Sequence, residues 1–256
     1  MGYFNVTVKP EIPASKQHAA AFTTGDNLFG WVSFEIPKGG AKLIGATMMV
    51  RPKGNASPTP NQFGAYLMFA TNDTGAAWVL NGAAAREPFN DWIGFVEFDD
   101  NTSFVQSTNS TSVAVSGRAA SDNNTHPSIV FAREDGSEGQ GSSVGYDKFY
   151  MRGIANGAFD FTSINVINDS DINSTTPAAI VMAGSGMDVR EHFIAGDVLH
   201  AQDDILLGTI DTVTDATTGP INLTVATSGA GDATTVANGD TIYNLNPIRV
   251  VLHFEN

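Results

Sequence analysis

Apolar and polar residues alternate with a period of two along much of this chain, and Gly, Asn, Asp and Pro interrupt the alternation at short intervals. A period of two puts successive side chains on opposite faces of a strand, whereas a helix buried on one side repeats every three to four residues. Leu28, Val32, Phe34 and Ile36 fall on one face, with Phe29, Trp31, Ser33 and Glu35 on the other. Pro37-Lys38-Gly39-Gly40 then turns the chain, and residues 43–51 are expected to return as the partner strand. Further strands are predicted over 63–70, 92–98, 111–116, 128–133, 148–152, 159–167 and 178–183, each bounded by turn-forming residues.

No stretch carries a helical stripe with caps at both ends, so the expected fold is all-β and antiparallel. Residues 1–186 read as a β-sandwich of jelly-roll type with about eight strands. The loops at 51–60 and 134–143 lack core-forming residues and are expected at the surface. A small five-stranded, barrel-like module is expected over 187–256, after a hinge near Gly184-Ser185-Gly186-Met187. Its signature is a Gly-Asp turn that occurs twice, as Ala195-Gly196-Asp197-Val198-Leu199-His200 and as Asn238-Gly239-Asp240-Thr241-Ile242-Tyr243. The last strand, 248–254, follows Asn246-Pro247 and either closes this module or returns to the first domain; the pattern leaves both open.

Composition adds limits. At 256 residues the chain is long enough to bury a core without staples, and it has no cysteine, which removes disulfides and thiolate chemistry. The first residues show no basic segment followed by an apolar stretch, and the longest apolar run, 178–183, is far shorter than a membrane-spanning helix needs, so no membrane partner is expected. The net charge of −14 is uneven. Residues 1–53 hold six basic groups against three acidic ones, and the remainder holds seven basic and 24 acidic groups. An acidic body repels phosphate backbones, which excludes nucleic acid as the expected partner. The basic N-terminal portion is instead expected to dock on an acidic protein surface through Lys9, Lys38, Lys42 and Lys53, with Tyr3 and Phe4 contributing an apolar arm.

Several residue groups carry the form of a catalytic or metal site without its context. Gly141-Ser142-Ser143-Val144-Gly145, with Asp188 and His192 downstream, matches a nucleophile elbow, but that motif needs a buried strand before the serine and a helix after it. Asp169-Ser170-Asp171-Ile172-Asn173 opens like a calcium loop, yet Ser174 stands where the turn needs Gly and Ile180 where a bidentate Glu should close the site. Asp99-Asp100 and Asp203-Asp204 are adjacent pairs, and neighbours on a strand point apart rather than across a substrate. His18, His126, His192, His200 and His253 show no zinc-binding spacing; His200 and Tyr243 occupy matching positions after the two Gly-Asp turns and are expected to pack within the module. No catalytic residue, cofactor or metal is therefore expected.

Two segments resemble virion structural proteins of tailed bacteriophages, of the marine cyanophage-like kind. One is Leu28-Phe29-Gly30-Trp31-Val32-Ser33-Phe34-Glu35-Ile36-Pro37-Lys38-Gly39-Gly40-Ala41-Lys42-Leu43-Ile44-Gly45-Ala46-Thr47; the other runs from Gly196-Asp197 through Gly239-Asp240-Thr241-Ile242-Tyr243-Asn244 to Phe254. The resemblance implies a non-enzymatic, many-copy decoration, cement or knob protein on the capsid exterior, bound to the major capsid protein or other virion proteins and forming a homo-oligomer. It supplies no site residues. The alternatives are a tail or fibre-associated adhesin for host glycan and, last, a polysaccharide depolymerase.

Overall fold

The computed structural model describes residues 2–51, 64–73, 80–82, 92–98, 104–106, 113–117, 128–133, 145–162, 166–168, 171–173, 180–184, 193–214, 222–228 and 235–256. Within them the chain runs β1 (Tyr3–Val8), α1 (Ala14–Ala19), β2 (Asn27–Pro37), β3 (Ala41–Val50), β4 (Ala65–Ala70), β5 (Trp92–Phe98), β6 (Phe104–Gln106), β7 (Val113–Gly117) and β8 (Ile129–Phe131). It continues through β9 (Tyr146–Ala155), β10 (Val166–Asn168), β11 (Ile180–Gly184), β12 (Val198–Ala201), β13 (Leu206–Thr214), β14 (Asn222–Ser228), β15 (Ile242–Asn244) and β16 (Ile248–Glu255). The fold is all-β, and its three sheets are antiparallel. The first sheet has the order β1-β16-β3-β7-β6, with β8 also on β3; the second is β2-β9-β4-β5; the third is β10-β11-β14-β13-β12-β15.

The first two sheets share a core of phenylalanine. Phe34, Phe69 and Phe149 project from the second sheet and meet Phe131 and Phe254 of the first, with ring centroids between 5.2 and 6.3 Å apart. The rings meet mostly edge to face, which suits the aromatic quadrupole. All five are buried, and each contributes roughly 1.5–3 kcal/mol through the apolar surface removed from water.

The last strand belongs to the first sheet. β16 alternates strictly: Ile248, Val250, Leu252 and Phe254 are buried, while Arg249, Val251, His253 and Glu255 face outward and are half-buried. It lies between β1 and β3, pairing Val8 with Val250 on one side and Val50 with Ile248 on the other. Gly2 and Asn256 extend the ladder, each donating its amide to the other's carbonyl at 3.0 and 2.9 Å. The chain's two ends are thus adjacent strands of a core sheet.

Three sequence expectations need correction. The strand at 43–51 is not the partner of the one before it: β2 pairs with β9, and β3 pairs with β16, β7 and β8. The turn is a corner between two sheets. Gly39 and Gly40 both adopt left-handed backbone, φ 103° and 83°, and a Cβ on Gly40 would lie 3.0 Å from the Phe131 carbonyl oxygen. Residues 159–167 do not form one strand. Phe159 makes an isolated bridge to Phe22, Asp160 accepts the Thr162 amide at 2.9 Å, and among the described residues there only those of β10 are strand. The apolar spacing there reflects a second aromatic cluster of Phe22, Phe159 and Phe161. The third sheet has six strands instead of five, because it recruits β10 and β11 and yields the final strand to the first sheet. It is curled: β10 and β15, the two ends of its path, approach each other.

Candidate functional site

Among the described residues, the two Gly-Asp turns noted in the sequence are members of a set of three. Thr23–Asp26, Ile194–Asp197 and Ala237–Asp240 each place glycine third, with φ 92°, 86° and 94°. The fourth residue's amide donates to the first residue's carbonyl at 3.0, 3.1 and 3.1 Å. This is a type II turn, which requires a left-handed third position and therefore glycine. In each, the aspartate carboxylate turns back to accept the amide of the first residue, at 2.7, 3.0 and 2.9 Å. The copy at Gly25-Asp26 escaped the sequence reading, although the same dipeptide precedes β2.

Two of these turns launch strands that pair with each other. β12 and β15 run antiparallel with His200 directly opposite Tyr243, so the repeat folds back on itself about that pair. Beyond the shared backbone, the carboxylates differ in what else they hold. Asp240 accepts from Gln202 Nε2 at 3.2 Å. Asp197 accepts from Arg51 Nη2 at 2.8 Å, in a pair whose side chains are 4% exposed for the acid and 17% for the base. Burial pushes the Asp197 carboxyl above its ordinary range, against the opposing pull of Arg51 and the Ile194 amide, and burial lowers the Arg51 guanidinium.

A cleft of about 160 Å³ opens beside this pair, lined by Lys9, Met49, Val50, Arg51, Ile194, Asp197, Asn246, Pro247 and Arg249. Its cations converge through strand register. Val8 sits opposite Val250, so one step further brings Lys9 beside Arg249, which in turn sits opposite Met49. Arg51 follows two residues later on the same strand face, and its amide donates to the Pro247 carbonyl at 3.0 Å. The period of two places Lys9, Arg249, Met49 and Arg51 together on the outer face at one end of the first sheet. The Asp197 turn of the third sheet forms the facing wall. Asn246 fixes the rim by donating through Nδ2 to the carbonyls of Lys9 and Pro10, at 3.2 and 3.1 Å.

The segment after Lys9 ties the two sheets together. The Ile12 amide donates to the Leu245 carbonyl at 2.8 Å, and buried Gln17 donates through Nε2 to the carbonyls of Ile12 and Asn244 at 2.6 and 2.8 Å. Asp204 holds the first turn of α1, accepting the Ser15 amide at 2.8 Å and its hydroxyl at 2.5 Å. His200 Nδ1 lies 3.0 Å from the Asp204 carbonyl oxygen. A nucleophile relay needs the imidazole between hydroxyl and carboxylate, so this trio anchors a helix rather than activating a serine. His18 Nδ1 lies 2.9 Å from the Tyr243 hydroxyl, whose pKa is pushed up to about 12 by burial, assisted by Asp160.

The other residues singled out by the sequence are scattered. Tyr3 is 70% exposed on β1, whereas Phe4 stacks on Phe254 at 5.2 Å within the chain's own sheet. Lys38 and Lys42 are exposed at the end of β3 opposite the cleft. Lys53, Asp99, Asp100, Asp188, His126, His192 and residues 141–144 lie outside the described residues. Asp171 accepts the Asn238 amide at 2.8 Å and so braces the third Gly-Asp turn. His253 bonds Asn5 Oδ1 at 2.9 Å and Thr47 Oγ1 at 3.1 Å across three strands. Among the described residues no three His, Asp or Glu gather as a metal site would require, and no helix is long and apolar enough to cross a membrane.

Among the described residues, Lys9 is thus the one sequence-predicted docking residue that enters the cleft; Arg51 and Arg249 join it through the pairing of β16 with β1 and β3, and Asp197 through the turn before β12. Set against protein-family models, curated proteins and solved structures, the chain finds no match.

Proposed function

We propose that this chain is a non-enzymatic structural protein that docks in many copies on the exterior of a tailed-bacteriophage capsid, as a decoration or cement protein. The observation that carries this is how its aspartates are used. Asp26, Asp160, Asp171, Asp197, Asp204 and Asp240 all accept backbone amides, and in doing so they hold turns or join separate elements. Carboxylates committed to architecture in this way stiffen a scaffold, and they are poorly placed to exchange protons with a substrate. A net charge of −14 suits a solvent-facing shell component and suits packaged DNA badly. The segments 28–47 and 196–254 supply the resemblance to virion proteins.

Immunolabelling of phage particles whose genome encodes the chain is the test. Label over the whole shell is expected. Label confined to the tail, together with glycan binding by the purified chain, would transfer the protein to the adhesin class; unlabelled particles would discard both.

A further inference from the structure

We infer that the cleft between the first and third sheets is a receptor for a carboxylate side chain on a partly apolar peptide segment of a protein partner. Lys9, Arg51 and Arg249 converge there with Asp197 as their counter-charge among the lining residues, in a chain that is otherwise strongly acidic. Like charges brought close together are destabilising, and Lys9, just beyond the end of β1, lines the same cleft as Arg249 and Arg51. Arg51 has a built-in partner; neither Arg249 nor the Lys9 ammonium forms an ion pair among the described residues. Departures from local consistency of this kind concentrate at functional sites.

The geometry favours a carboxylate. Asp197 takes one Nη2 of Arg51 and fixes the guanidinium plane, leaving its other donors and those of Arg249 for an incoming group. Beside Asn246, the remaining wall offers apolar surface from Met49, Pro247 and Ile194, the last 40% exposed at the rim. A fully hydrated inorganic anion gains nothing from such walls, whereas the methylenes of a glutamate and an adjacent aliphatic residue do. Asn246 and the Asp197 turn hold both sides in place before the ligand arrives, which lowers the ordering cost of binding.

This inference rests on the docking function, and its test uses the isolated chain so that the two fail separately. The probe is a fluorescent peptide of alternating Glu and Leu, acetylated and amidated at its ends, read by anisotropy beside the same peptide with Gln in place of Glu. The Glu peptide is expected to bind and the Gln peptide to bind at least about tenfold more weakly, as loss of a charge-assisted bond requires. Arg249→Gln and Lys9→Gln should each weaken the Glu peptide about tenfold, and Lys42→Gln, at the far end of β3, should change nothing. Circular dichroism melts confirm that the variants fold, since both residues lie on the outer sheet face. Equal affinity for the two peptides, or wild-type binding by Arg249→Gln, overturns the site. Inorganic phosphate that displaces the peptide at equal or lower concentration overturns the carboxylate assignment. If the site fails while the chain still covers the shell, docking proceeds through another surface.

Discussion

The turns at Asp197 and Asp240 have the same backbone and different burdens. Both use a left-handed glycine, both fold a carboxylate back on the amide three residues earlier, and the strands they launch lie side by side. Asp240 faces Gln202 at the edge of its own sheet, while Asp197 reaches out of its sheet to a partly buried arginine of another. A local motif thus builds a strand start in both places and a wall of the cleft in only one. The difference comes from what the rest of the fold brings to it.

The largest expected effect separates the two aspartates. Asp197→Ala leaves the partly buried Arg51 unpaired beside two further cations and should destabilise the chain by about 2–3 kcal/mol, whereas Asp240→Ala loses bonds to an exposed amide and a neutral side chain and should cost about 1 kcal/mol. Urea unfolding of both variants measures the contrast, and equal losses would dissolve it. Adding Arg51→Met to Asp197→Ala should restore most of the stability, because the stranded charge is then removed.

Next in size are the glycines, where the turns should behave alike. No atom lies within 4 Å of a Cβ built on Gly196 or Gly239, so alanine at either meets only backbone strain, about 1–2 kcal/mol in each case. Gly153 supplies the control for a steric glycine: a Cβ there would sit 2.4 Å from the Phe29 ring, and Gly153→Ala should cost more than either turn variant.

A smaller effect concerns pH. Burial raises the Asp197 carboxyl, so the folded chain holds that proton more tightly than the unfolded chain does. Its contribution is fully present below the ordinary carboxyl pKa and is lost as pH rises through the raised one. The stability of the wild type relative to Asp197→Asn is therefore expected to fall over that interval. A difference that grows instead would mean that Arg51 outweighs burial. The smallest is spectroscopic: Tyr243 should form phenolate only near pH 12, and Tyr243→Phe should remove the absorbance change that appears there.

Much of the fold was legible because alternation reports which face a residue occupies. Residues 92–98 were read to the residue as β5, and β16 announced its buried face through Ile248, Val250, Leu252 and Phe254. Alternation is silent about neighbours, since any strand with a buried face satisfies it. Hence the hairpin expected at Pro37–Gly40 proved to be a corner between sheets. The cleft was hidden for the same reason. Lys9, Arg51, Asp197 and Arg249 are far apart in sequence, and they meet only once the final strand inserts between β1 and β3. The readable trace is Asp197 itself, a member of the Gly-Asp repeat, and Lys9, a member of the basic N-terminal segment. The Gly25-Asp26 turn was also readable, and it goes unnoticed because it lies so far along the chain from those at Asp197 and Asp240.

The central claim is that this chain is a rigid many-copy shell component that docks through its basic cleft. Quantitative mass spectrometry of purified particles tests it most directly, by counting copies of the chain relative to the major capsid protein for the wild type and for the Lys9→Gln, Arg249→Gln double variant. The expected result is a wild-type copy number in step with the shell subunit and a marked loss of occupancy in the variant. A copy number at the level of tail proteins, or a variant that occupies the shell as fully as the wild type, would contradict the account.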